Sequence, residues 1–82
     1  EKSSEGLHLL AKMSHLLRTK EEVEELEILF GKYPDKQMPT DRVYLINRQR
    51  IWNARLQRVQ NNREFSRLLT LVYAMYGKLL NE

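Results

Sequence analysis

Six arginines, Arg42, Arg48, Arg50, Arg55, Arg58 and Arg63, fall within residues 42–63 with no lysine and no acidic residue among them. A guanidinium is always charged and presents a planar fork of donors that matches carboxylates, phosphates and the guanine edge. At helical spacing Tyr44, Arg48, Ile51, Arg55 and Arg58 follow in steps of four, three, four and three, which lines them along one side of a helix. On the opposite flank Gln49, Asn53, Gln57 and Gln60 form an amide strip, and amides pair with adenine. Three partners suit such a helix: glutamates of the chain's own second helix, an acidic protein, or a nucleic acid.

The other reactive residue types do not converge on a centre. His8 and His15 are separated by two helical turns, about 10 Å, too far to share a metal ion whose ligands lie at about 2 Å. Both read as solvent-facing. Glu21, Glu22, Glu24, Glu25 and Glu27 point around much of one helix and lack the Glu-x-x-His pattern of di-iron bundles. They read as a solvated acidic face supported by neighbours such as Lys20. Gly6, Gly31 and Gly77, the only glycines, cannot build a phosphate-cradling loop, and no serine sits in an elbow motif. With no cysteine, disulfide frameworks and thiolate zinc sites are excluded. The expectation is a protein without catalytic residues, metal or cofactor.

The elements that position these groups follow from hydrophobic periodicity and capping residues. Ser3 or Ser4 can cap a first helix carrying Leu7, Leu10, Met13 and Leu17 and ending near Arg18. Thr19 with Glu22 makes a capping box for a second, whose inner face is Val23, Leu26, Phe30 and Tyr33. Gly31, Pro34 and Pro39 mark the one long loop. Thr40 and Asp41 can cap a third helix, in which Leu45, Trp52, Leu56 and Val59 share an arc of about 60°. Asn61 with Glu64 suggests the start of a fourth, which carries Phe65, Leu68, Leu69, Val72, Met75, Tyr76, Leu79 and Leu80. The spacing predicts an all-α fold, a small antiparallel bundle of three to four helices over about residues 4–18, 20–32, 41–60 and 62–81.

Eighty-two residues suit one core, so residues 1–82 are expected to form a single domain, and the missing initiator methionine points to a piece of a longer protein. The net charge of +3 is unevenly placed: residues 1–33 carry five basic and seven acidic side chains, residues 34–64 seven and three. No apolar run is long enough to span a bilayer and the first residues do not resemble a signal peptide, so an intracellular protein, cytoplasmic or nuclear, is expected, without a membrane.

The fourth helix is apolar over an arc of about 200°, more than one neighbour can bury. Leu71, Tyr73 and Met75 are therefore candidates for self-association. Leu9 and Leu16 are expected to pack internally. The functional expectation is a non-enzymatic protein–protein interaction module that binds another protein or a second copy of itself. The alternative is a DNA- or RNA-binding regulatory domain led by the third helix.

Overall fold

The structure, a computed structural model, describes the backbone of residues 2–82 and the side chains from Ser4 onward. Its regular elements among these residues are all helical: α1 (Lys2–Met13), a 3₁₀ turn (Ser14–Leu16), α2 (Lys20–Leu29), α3 (Arg42–Arg58) and α4 (Arg63–Leu80). The chain divides into two compact units, Glu1–Met38 and Pro39–Glu82. Each is an antiparallel pair of helices.

In the first unit the expected helix over 4–18 both begins and ends earlier. Ser3 and Ser4 fall inside α1, and α-helix gives way at Met13. The Ser14 hydroxyl donates back to the Ala11 carbonyl, a local bond that competes with the helix ladder. Leu17 then turns extended, with φ −89° and ψ 153°. This exit is required by the next helix, whose cap, Thr19, is itself extended and accepts from the Glu22 amide at 3.1 Å. Glu22 reaches back, as a capping box does, but its carboxylate accepts from the Arg18 amide at 2.8 Å, one residue further out than usual. The 3₁₀ turn also leaves Leu16 41% exposed, whereas Leu9 is buried.

α2 stops at Leu29, short of the expected residue 32, because Gly31 adopts φ +85°, a left-handed conformation that costs glycine little. The Gly31 amide bonds the Ile28 carbonyl at 3.0 Å and the Lys32 amide the Glu27 carbonyl at 2.8 Å, a Schellman closure. The same two residues pair through their side chains, Lys32 Nζ to Glu27 Oε2 at 2.6 Å. Pro34 then turns the chain, with the Lys36 amide on the Tyr33 carbonyl at 3.0 Å. Lys36 Nζ lies 4.9 Å from the Tyr33 ring centre and 3.3 Å from Glu24. Gly6 of α1 packs against the buried ring of Phe30, the residue that caps α2; a Cβ on Gly6 would clash with Cδ1 and Cε1 of that ring.

In the second unit Asp41 caps α3 by accepting from the Tyr44 amide at 3.0 Å. Val59 is extended and ends the helix at Arg58, two residues before the expected boundary. The cap of α4 is Asn62, not Asn61: its Oδ1 accepts from the Phe65 amide at 2.8 Å, which places Glu64 second in the helix, in the first turn. Arg42 Nη1 donates to the Leu80 carbonyl and Gln49 Nε2 to the Tyr73 carbonyl, at 3.2 and 3.3 Å. Both contacts set the same antiparallel register. Leu45, Trp52, Leu68, Leu69, Val72 and Tyr76 are the buried apolar residues of this unit.

Two outcomes follow for stability. Gly6→Ala, which helix propensity alone would favour, lowers the unfolding free energy in urea by roughly 1–2 kcal/mol, because the Phe30 ring must be displaced. Glu27 raises the Lys32 ammonium above its ordinary pKa, first through the hydrogen bond and then through charge. A raised pKa makes the pair's contribution complete below the unfolded value and lost as pH climbs through the folded one. The melting-temperature difference between the natural chain and Lys32→Met is therefore constant through neutral pH and shrinks above about pH 10.4.

Candidate functional site

α3 distributes its residues over three surfaces. The side toward α4 carries Leu45, Trp52 and Gln49. Arg42 and Gln49 face the same way, since both bond carbonyls of α4. Gln49 is also held close to Gly77, where a Cβ would come within 2.9 Å of its Nε2. Gln49 is thus engaged with α4, and Asn53 is half-buried, so the amide strip read from the sequence is not a continuous free surface.

The second surface is the flank occupied by the arginine row, and here the structure separates its members. Trp52 is fully buried, and the Arg55 guanidinium lies 4.5 Å from its ring centre. Arg48, four residues before Trp52, lies 5.8 Å from the same ring and 6.0 Å from that of Tyr44. Positions i−4 and i+3 stand beside residue i on a helix, so the two cations cover adjacent parts of the indole. It is the guanidinium groups themselves that lie over the ring. Arg48, Arg55 and Tyr44 are accordingly half-buried. The indole Nε1 is buried without a hydrogen-bond partner, so the cations act on the ring face and leave the N–H unsatisfied.

The third surface points to solvent. Val43, Asn47, Arg50, Ala54 and Gln57 recur at steps of four, three, four and three, and all are exposed, with Ile51 and Arg58 beside them. Val43 is 66% and Ile51 40% exposed. The predicted row thus splits: Arg48 and Arg55 lie over Trp52, with Tyr44 beside Arg48, whereas Ile51 and Arg58 join the outer face. Val43 and Arg50 are the members that the row omitted. Their signal was present in the sequence as a second helical stripe about 180° from the Leu45 and Trp52 stripe.

The candidate self-association residues on α4 also separate. Leu71 and Met75 are one turn apart and half-buried, while Tyr73, 38% exposed, lies about 200° around the helix from Leu71. They occupy the two flanks of the buried stripe Leu68, Leu69, Val72 and Tyr76. They do not form one patch.

Among the described residues no three histidine, aspartate or glutamate side chains are grouped so that they could hold a metal ion, and no helix is long and apolar enough to cross a membrane. His8 and His15 are both exposed. Comparison with known protein families, with curated proteins and with solved structures finds no match to the chain.

The division of the arginines is directly measurable. Arg55→Ala lowers stability by about 0.5–1 kcal/mol and shifts the emission of Trp52, the only tryptophan, to longer wavelength. Arg58→Ala changes stability by less than about 0.5 kcal/mol and leaves the emission in place.

Proposed function

We propose that the chain is a non-enzymatic protein-interaction module whose contact surface is the outer face of α3, and that the partner surface it fits is acidic with apolar side chains among its charges. The observation that carries this reading is the exposed pair Val43 and Ile51 set among Arg50 and Arg58, on a helix with no acidic residue. Interfaces typically combine a small apolar centre with a polar rim, and arginine is enriched in them. Charge complementarity selects the sign of the partner and speeds encounter.

The chain's own acidic helix is a poor candidate for that partner in a second copy. Glu24 and Glu27 are paired with Lys36 and Lys32, and Glu22 accepts from the Arg18 amide. Self-association through α4 has less support than α3, since Leu71 and Met75 lie on one flank and Tyr73 on the other. Nucleic acid is also less well supported. Of the amide strip, Gln49 is taken by α4, and of the arginines, Arg42 bonds a carbonyl while Arg48 and Arg55 cover Trp52.

Amide chemical shifts of the full chain, titrated with an acidic amphipathic peptide and separately with a mixed-sequence duplex, test the proposal. The peptide is expected to shift residues 43–58 along the outer face, and Arg50→Glu with Arg58→Glu to weaken it by about tenfold or more while helicity is unchanged. Tight duplex binding whose logarithm falls steeply with salt, with the peptide inert, would establish the nucleic-acid reading instead. Sedimentation of the free chain at low salt is expected to give a monomer; a dimer dispersed by Leu71→Glu or Tyr73→Glu would return the interface to α4.

A further inference from the structure

Along the outer face of α3 the side chains are unequal in length, and the shortest stands between two of the longest. Ala54 is exposed, as are Arg50 one turn before it and Arg58 one turn after. Each arginine is four residues from Ala54, about 6 Å along the axis and about 40° around it, in opposite directions. Ile51 and Gln57, three residues to either side and both exposed, close the other diagonal. Ala54 ends at its methyl group, which leaves a gap among four longer side chains. Given the outer face of α3 as the contact surface, on which this assignment rests, we infer that the gap receives a single large apolar side chain from an acidic partner helix. Carboxylates four residues before and four residues after that side chain meet Arg50 and Arg58.

Packed helices insert a side chain of one into the space among four side chains of the other, and a small residue at the contact lets the two axes approach. Ile51, 40% exposed in the free chain, adds apolar surface beside the gap. The charge matches one sign only: α3 has no acidic residue, and neither Arg50 nor Arg58 forms an ion pair or hydrogen bond among the described residues. These two cations are separated by the rise of eight residues, about 12 Å, and so are the two carboxylates on the partner helix. An extended segment with acids two residues to either side of its apolar residue spans about 14 Å, nearly the same length. On a helix face, however, such a segment finds no strand edge for its own N–H and C=O groups, whereas a helix satisfies most of its own.

Two end-capped peptides of equal composition test the assignment on the full chain. Each is an alanine–glutamine chain with a central leucine and two glutamates, placed four residues to either side of the leucine in the first and two in the second. The first is expected to shift amides of residues 43–58 and to bind about tenfold more tightly than the second. Ala54→Gln, which fills the gap with a good helix former at an exposed position, is expected to weaken the first peptide about tenfold with helicity retained. Ala54→Ser, which keeps the gap, is expected to bind as the natural chain does. Arg50→Glu with Arg58→Glu is expected to lose the first peptide and to accept its counterpart with lysines in place of the glutamates.

Equal affinity for the two spacings, or undiminished binding by Ala54→Gln, overturns the assignment, while shifts along residues 43–58 would still leave α3 as the contact surface. Tighter binding of the second peptide identifies an extended occupant and overturns the helical one. Silence of both peptides at these residues likewise overturns the assignment. The contact surface itself falls only when the acidic amphipathic peptide is silent there as well.

Discussion

Keeping the indole of Trp52 dry is the demand around which the second unit is organised. It is the largest fully buried side chain, and it sits on a helix that otherwise carries mostly polar residues. Part of its cover comes from Arg48 and Arg55 on the same helix, whose guanidinium groups lie over the ring. Other side chains follow from that arrangement. Gln49 and Arg42 anchor α3 to carbonyls of α4, and Gly77 leaves the space that Gln49 uses. The unsatisfied Nε1 is a standing cost of placing so large a polar-tipped ring in the interior.

This arrangement explains why arginine content is a poor guide to ligand chemistry in this helix. Guanidinium groups serve three different ends within residues 42–58: capping a helix terminus at Leu80, covering an aromatic ring, and facing solvent at Arg50 and Arg58. Only the last is available to a partner in the free chain without disturbing the packing. The solvent-facing arginines share their surface with Val43 and Ile51, and the proposed protein contact rests on that mixture.

Most of the fold was legible from periodicity, because the four helices are separated by strong local signals. Thr19, Gly31 and Asp41 act at the positions where their chemistry is required. Boundaries differ where a local bond or one residue's backbone decides: the Ser14 hydroxyl bonds the Ala11 carbonyl where α1 gives way, Glu22 holds the Arg18 amide, and neither bond is visible in apolar spacing. Asn61 and Asn62 are equivalent as residue types, and only the backbone angles of Asn62 decide which one caps. The arginine row was legible as a row, but not its division. Spacing shows which side chains are neighbours, whereas the depth of Trp52 determines which of them are drawn inward. For α4 the apolar arc is legible in the spacing, and the separation of Tyr73 from Leu71 and Met75 follows from the helical angle alone.

Each helix pairs with its neighbour in the chain, α1 with α2 and α3 with α4, and the segment joining α3 to α4 is only residues 59–62. Closing so short a connection costs little chain entropy, and helices form on the submicrosecond scale, so the search for native contacts within each hairpin is local. The topology therefore favours rapid assembly of each pair, without the slow pairing of distant segments that leaves unfinished chains prone to aggregate. During synthesis, residues 1–38 contain all the contacts of their own hairpin before the arginine-rich helix has been made.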